Sequence, residues 1–261
     1  MGLILAGTSF NAKTFEQLFL HKLEFVEVTH CGDVFTLFPA RLRQGLKNLK
    51  EVIVDSCKSL EEVFELGEAD EGSSEEKELP LLSSLTELKL RWLPELKCIW
   101  PTGHISLQNL AHLELFSLHK LTFIFTPPLA RSLSKLEGLY IRNCGELKHI
   151  IREEEGEREI IPQSPCFPEL KNINIYFCDK LEYVLPVSLS HDRDGIIKFP
   201  QLRELSLKLG SNYSFLGPRN FDAQLPLQEL TIKGHEDVGN WLAQLQVRNL
   251  YFSTNLNCQL R

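Results

Sequence analysis

The segment Leu136-Glu-Gly-Leu139-Tyr-Ile141-Arg-Asn-Cys144-Gly-Glu-Leu147-Lys-His-Ile150 returns, with substitutions, along most of the chain. The shared frame is L-x-x-L-x-L-x-x-(C/L)-x-x-L-x-x-(I/V). It recurs at Leu49-Val52-Val54-Cys57-Leu60-Val63, Leu85-Leu88-Leu90-Leu93-Leu96-Ile99, Leu110-Leu113-Leu115-Leu118-Leu121-Ile124 and Leu170-Ile173-Ile175-Cys178-Leu181-Val184. The second and third apolar positions are two residues apart, the period of a strand, so both point inward while their neighbours face out. The later apolar positions are three apart, which predicts a tight helical or 3₁₀ return covering the same core. One such unit cannot bury its own apolar face, so the chain must fold as a stack of neighbours.

Frames open at Leu23, Leu49, Leu85, Leu110, Leu136, Leu170, Leu202, Leu227 and Val247, with gaps of 26, 36, 25, 26, 34, 32, 25 and 20 residues. A base period of this length is the leucine-rich-repeat signature. The predicted fold is therefore an α/β solenoid, a horseshoe of about nine irregular repeats. Its concave side is a parallel sheet and its convex side short helical or 3₁₀ turns and loops. Residues 1–20 read as an N-terminal flank or partial repeat and residues 21–261 as the repeat domain. Inserts near 65–78, 152–163 and 188–198 account for the three long gaps, and repeat arrays accept them because each repeat touches only its neighbours. The last three frames decay, as terminal repeats do.

The net charge is −7. Between Glu61 and Glu78, nine acidic residues stand against Lys77, a local −8 that leaves about +1 for the rest. Such a stretch reads as a solvated insert. Of the seven cysteines, Cys31, Cys57, Cys144 and Cys178 share one frame slot, occupied elsewhere by Leu93 and Leu118. That slot asks for a small buried hydrophobe, and the odd total without C-x-x-C spacing fits reduced thiols. Cys98, Cys166 and Cys258 lie outside it. There is no P-loop, dinucleotide-binding or zinc-protease motif, and His104, His112, His119 and His149 fall in different slots. No basic stripe supports nucleic-acid binding. The longest apolar run is far below a membrane span, and Gly2-Leu-Ile-Leu-Ala-Gly is too short for a signal peptide. Ala6 breaks the myristoylation pattern. A cytoplasmic or nuclear location is expected.

Function then falls to the outward slots of the strands. In order these are Glu27/Thr29, Ile53/Asp55, Lys89/Arg91, Glu114/Phe116, Tyr140/Arg142, Asn174/Tyr176, Ser206/Lys208, Thr231/Lys233 and Tyr251/Ser253. From the fifth pair onward they hold three basic residues, three tyrosines and no acid. Tyr and Arg are the residues that anchor interfaces, so a partner-binding face is expected at Arg91, Phe116, Tyr140, Arg142, Tyr176, Lys208 and Lys233.

Several segments resemble one family in detail: Leu85-Thr-Glu-Leu-Lys-Leu-Arg-Trp-Leu-Pro-Glu-Leu-Lys-Cys-Ile-Trp100, Leu118-His-Lys-Leu-Thr-Phe-Ile-Phe125-Thr-Pro, and Ile141-Arg-Asn-Cys-Gly-Glu-Leu-Lys-His-Ile-Ile151. Cys166-Phe-Pro-Glu-Leu170 and Phe199-Pro-Gln-Leu202 are in the same style. They resemble the C-terminal leucine-rich-repeat region of plant coiled-coil, nucleotide-binding disease-resistance proteins, over nearly the whole chain. The resemblance implies a non-enzymatic domain of an intracellular immune receptor. Its protein partners would be a pathogen effector, a guarded host protein or the receptor's own NB-ARC switch domain, which it restrains. No cofactor is expected here; ATP or ADP would belong to the NB-ARC domain of a full-length parent. The alternative is a stand-alone adaptor such as a substrate recruiter of a ubiquitin ligase. A secreted receptor ectodomain would show the extracellular L-x-G-x-I-P frame, and an enzyme would need a convergent acid, base or nucleophile; neither is visible.

Overall fold

A computed structural model of the chain describes residues 1–7, 20–39, 42, 45–65, 82–100, 105–152, 167–182, 196–198, 201–208, 222–224 and 229–233. In chain order the strands of the first half are β1 (Gly2–Ala6), β2 (Phe25–Thr29), β3 (Thr36–Phe38), β4 (Glu51–Asp55), β5 (Glu62–Phe64), β6 (Glu87–Arg91), β7 (His112–Phe116) and β8 (Phe123–Phe125). A six-residue helix, α1 (Pro127–Ser132), precedes β9 (Gly138–Arg142), β10 (His149–Ile151), β11 (Asn172–Tyr176), β12 (Ile196–Lys198), β13 (Glu204–Lys208), β14 (Asp222–Gln224) and β15 (Glu229–Lys233).

Nine of these strands form one parallel sheet in the order β1-β2-β4-β6-β7-β9-β11-β13-β15. Frame position matches frame position throughout: Val26, Val52, Leu88, Leu113, Leu139, Ile173, Leu205 and Leu230 stand side by side. The inserts therefore cause no slip in register, because a one-residue slip would turn every apolar side chain out to solvent. The sheet's first strand, β1, comes from residues before the first complete frame and pairs with β2. The ninth frame, at Val247, lies outside the described residues, as do Tyr251 and Ser253.

The ladder runs past the strand ends. At the entry, the residue before each strand offers one carbonyl to two successive N–H groups of the next repeat: Lys50 and Glu51 both donate to Glu24, and Thr86 and Glu87 both donate to Lys50. At the exit, the backbone turns left-handed at His30, Ser56, Trp92, Ser117, Asn143 and Phe177, with φ between 53° and 58°. There the N–H of His30 donates to Asp55, Ser56 to Arg91, Trp92 to Phe116, Ser117 to Arg142, Asn143 to Tyr176 and Phe177 to Lys208, at 2.8–3.0 Å. Left-handed backbone costs a bulky residue about 1 kcal/mol or more, and it recurs because the turn directs each chain off the sheet and into the core.

The return path differs from the expected helical one. After the left-handed residue comes the buried Cys/Leu slot and a two-residue turn, and the last slot falls on a short second strand at Leu37, Val63, Ile124 and Ile150. These second strands pair in parallel as β3 with β5, β8 with β10 and β12 with β14. Helical turns occur at Leu20–Lys22 and in α1, whose Pro127 is preorganised for a helix start. β12 closes the stretch assigned to the third insert; residues 66–81 and 153–166, which hold most of the other two, lie outside the described residues.

Between sheet and return path, the frame residues Leu23, Val26, Val28, Leu49, Val52, Val54, Leu85, Leu88 and Leu90 are all fully buried, and their counterparts through Leu207 are buried as well. Beside them runs a file of rings that the frame did not include. Phe38 stacks on Phe64 at 5.1 Å, Phe64 on Trp100 at 6.1 Å, Trp100 on Phe125 at 6.4 Å, and Phe125 meets Phe167 at 6.0 Å. Each of the first four follows directly on the Leu/Ile/Val slot. Stacked rings at these separations add about 0.5–1.5 kcal/mol per pair beyond burial, so the file ties successive repeats together along the solenoid.

Candidate partner-binding face

Alternation along the main strands places three side chains per strand on the outer face. Buried and half-buried residues alternate in β2, β4, β6, β7 and β11. Two of the three outward columns were expected. The third, at the first residue of each strand, was missed: Phe25, Glu51, Glu87, His112, Gly138, Asn172 and Glu204, with Glu229 in register. This column corrects the acid-free second half. Glu204 is half-buried on the outer face and helps line its groove. The frame hid it because a strand starting one residue before the second apolar slot adds an outward position that reads as spacer.

In the first half of the face both cations are held by carboxylates. Arg91 donates from Nε and a terminal nitrogen to both carboxylate oxygens of Glu114, at 2.8 and 2.9 Å, across the β6–β7 pair. Lys89 sits between Glu87 at 2.8 Å and Glu51 at 3.6 Å. The hydrogen bond to Glu87 holds the Lys89 ammonium above its ordinary range, and that to Glu114 does the same for the Arg91 guanidinium. Ser56 donates to Asp55 at 2.7 Å.

The second half differs. Arg142 and Lys208 have no carboxylate partner among the described residues, and rings support them instead. The Arg142 guanidinium lies 5.6 Å from the Phe116 centroid and 6.0 Å from that of Phe177, and Lys208 Nζ lies 4.2 Å from Phe177. Trp92 meets Phe116 edge-on at 4.8 Å. Trp92 and Phe177 occupy the left-handed exit turns, and each remains largely exposed, at 50% and 42%. Sequence reasoning missed both, since a turn slot that also holds His30, Ser56, Ser117 and Asn143 has no compositional signature.

Between the columns lies a groove of about 720 Å³, lined among others by Arg91, Phe116, Tyr140, Arg142, Tyr176 and Glu204. Five of the seven expected residues thus meet in one place. Lys208 joins them through Phe177, whereas Lys233 pairs in register with Lys208 and its side chain lies outside the described residues. The Tyr140 ring lies over Gly138: a Cβ there would meet Tyr140 Cε2 at 2.7 Å and His112 Nδ1 at 2.8 Å. A glycine in the missed column is what lets a tyrosine lie across the sheet.

The shared cysteine slot is buried in all four repeats. Each thiol donates to the carbonyl of the residue two before it, at 3.5 Å in Cys31, Cys57, Cys144 and Cys178. Leucine fills the slot but cannot make this bond. Burial pushes the Cys57 thiol up to about 11, and the Cys178 thiol is raised by its hydrogen bond with neighbouring Cys144 and by burial. Cys98 is half-buried and donates to Trp100 at 2.9 Å. Cys166 and Cys258 lie outside the described residues. Among the described residues no three His, Cys, Asp or Glu side chains are grouped to hold a metal ion, and no helix is long and apolar enough to cross a membrane.

A parallel sheet built one strand per repeat, with a matched second ladder behind it, defines the leucine-rich-repeat class, whose members are protein-interaction modules. The sequence profile of one family of that class, described as plant disease resistance protein RPS2-like, leucine-rich repeats, matches residues 8–145. The chain belongs to this plant disease-resistance leucine-rich-repeat family. It is also similar to the probable disease resistance protein At4g27220 of Arabidopsis thaliana, with 35% identity over 103 residues, 39% of this chain and 11% of that protein. The aligned part is thus a small fraction of that relative's length.

Proposed function

We propose that this chain is the partner-recognising repeat region of an intracellular plant immune receptor, cytoplasmic or nuclear, and that it acts by binding and without catalysis. Its outer face would engage a pathogen effector or a host protein that an effector alters. In a longer parent the same repeats would pack against a nucleotide-binding switch and restrain it, with ATP or ADP held there and not here. The observation that carries the reading is the contrast within each strand. Inward slots repeat the same few apolar residues, whereas outward slots differ from repeat to repeat and gather Tyr140, Tyr176, Arg91, Arg142 and Phe116 around one groove. Burial does not dictate those outward residues, and their types are those that anchor interfaces.

The test is a quantitative pull-down from pathogen-challenged leaf tissue. It uses the full chain, a Tyr140→Ala/Tyr176→Ala variant and a Lys97→Ala/Lys180→Ala variant altered on the turn side. Wild type and the turn-side variant should recover the same defence-related protein, and the tyrosine variant should lose it. Equal recovery by all three, or of chaperones alone, would overturn the reading. Recovery of ubiquitin-ligase subunits would favour an adaptor instead.

A further inference from the structure

The outer face is polarised across the strands as well as along them. From β6 onward the exit column reads Arg91, Phe116, Arg142, Tyr176, Lys208, with Lys233 in register, and contains no acid. The entry column over the same strands reads Glu87, His112, Gly138, Asn172, Glu204, with Glu229 in register, and contains no Lys or Arg. Four residues of strand separate Glu204 from Lys208, about 13 Å. An anionic group at the exit rim therefore meets the cations without meeting that acid. One strand before Arg91, Asp55 ends the exit column of β4, where Ser56 donates to it at 2.7 Å, and Glu114 in the middle column is held by both donors of Arg91. In the turns beyond, Glu146 pairs with Lys180 at 2.7 Å, and Glu95 pairs with Lys120.

The rim's free cations are mounted in an unusual way. Arg142 and Lys208 are two strands apart, about 10 Å, and the exposed Phe177 lies between their strands and touches both. Phe116 extends the row to Trp92. A ring under a cation fixes its position without neutralising its charge, so the charge stays available for an incoming anion. A carboxylate partner would have neutralised it, as Glu114 does for Arg91. Trp92 also borders a second hollow of about 300 Å³, lined by Ser56, Lys58, Pro94, Ser117 and His119. Two large aromatics occupy left-handed turns, where Asn would be less strained. Backbone strain carried at exposed positions points to use of those side chains.

We propose that this exit rim, from Trp92 through Phe116, Arg142 and Phe177 to Lys208, is a docking rail for an acidic protein segment. The segment runs across the strands, with carboxylates on Arg142 and Lys208 and an apolar side chain against Trp92. The proposal rests on the outer face being the recognition surface and adds the chemistry of its partner. Charge complementarity is local, because the chain as a whole carries −7 and repels acidic molecules in general.

The test is fluorescence anisotropy with the full chain and a fluorescein-labelled peptide of alternating Glu and Ala, against the same peptide with Gln for Glu. The Glu peptide should bind at low salt and the Gln peptide should not. Arg142→Glu/Lys208→Glu should weaken binding about tenfold or more, since two exposed charge contacts become repulsions. Lys97→Glu/Lys180→Glu, the same change in net charge elsewhere, should leave it unchanged. Glu114→Gln, which frees Arg91, should strengthen it about twofold. No binding by wild type, equal binding of the Gln peptide, or equal loss in both double variants would overturn the rail. Rim-dependent binding of an oligouridine RNA as tight as that of the Glu peptide would overturn its assignment to a protein segment. If pull-down partners still depend on Tyr140 and Tyr176 while peptide binding ignores Arg142 and Lys208, the rail fails and the recognition surface stands. If the tyrosines are dispensable as well, both fail.

Discussion

On every main strand the two faces obey different rules. The inner face of β4, β6 and β7 is Val52 and Val54, Leu88 and Leu90, Leu113 and Leu115, interchangeable residues that share full burial. The outer face of the same strands is Glu51, Ile53 and Asp55, then Glu87, Lys89 and Arg91, then His112, Glu114 and Phe116, with no residue repeated in a column except the first Glu. Repetition marks where stacking dictates the residue, and variation marks where it does not. The outer face is itself divided. In its first half both cations, Lys89 and Arg91, are held by carboxylates, and in its second half Arg142 and Lys208 are mounted on aromatic rings with no carboxylate partner among the described residues. The first arrangement occupies its cations, whereas the second leaves them for a partner.

The strongest way to break this division is through the inner side. Phe125→Ala removes a ring that stacks on Trp100 and meets Phe167 at a tilt and should cost about 3–5 kcal/mol in urea denaturation. A loss below 1 kcal/mol would mean that the ring file is not what couples the repeats. Gly138→Ala tests whether the faces are independent: its Cβ collides with the Tyr140 ring, so overpacking should cost about 1–2 kcal/mol and alter tyrosine fluorescence. Unchanged fluorescence would show that Tyr140 does not lie across the sheet.

A third probe uses pH. The Cys57 thiol, at about 11 against an ordinary 9.0, favours its protonated form in the fold. Its contribution is complete below pH 9 and is lost as pH rises from about 9 to about 11. Wild-type stability should therefore fall over that window, and Cys57→Ala should show a shallower fall. Parallel slopes would place the titration elsewhere. The smallest effect carries most meaning for the outer face. Trp92→Asn and Phe177→Asn relieve left-handed strain, so thermal denaturation should show stability unchanged or raised by up to about 1 kcal/mol. A clear loss of stability would make these aromatics part of the scaffold.

How much of this was legible in the sequence follows the same division. The inward slots impose a period, and a period is readable from one chain, so the sheet, its parallel sense and the buried cysteines could be expected. The spacing of three from Cys144 to Leu147 to Ile150 is less decisive. It fits a 3₁₀ turn, but a two-residue turn followed by a strand gives the same spacing, and β10 takes the second form. Phe38, Phe64, Trp100 and Phe125 carried a signal that was overlooked, since each is an aromatic directly after an aliphatic slot. Glu204 and its column were read as spacer. Trp92 and Phe177 had no local signal, because their slot is defined by backbone conformation and accepts many side chains. Contacts such as that between Arg142 and Phe177 join residues 35 apart in the chain, and only the register of β9 against β11 reveals them.

The central claim is that recognition belongs to the outer face, concentrated along its exit rim. Hydroxyl-radical footprinting tests it most directly, on the full chain with and without the protein recovered in the pull-down. Trp92, Phe116, Tyr140, Tyr176 and Phe177 should become protected. Phe35, 62% exposed next to the second strand β3, should label as before. Protection of Phe35 with Trp92 and Phe177 unchanged would place the partner on the opposite side and contradict the account.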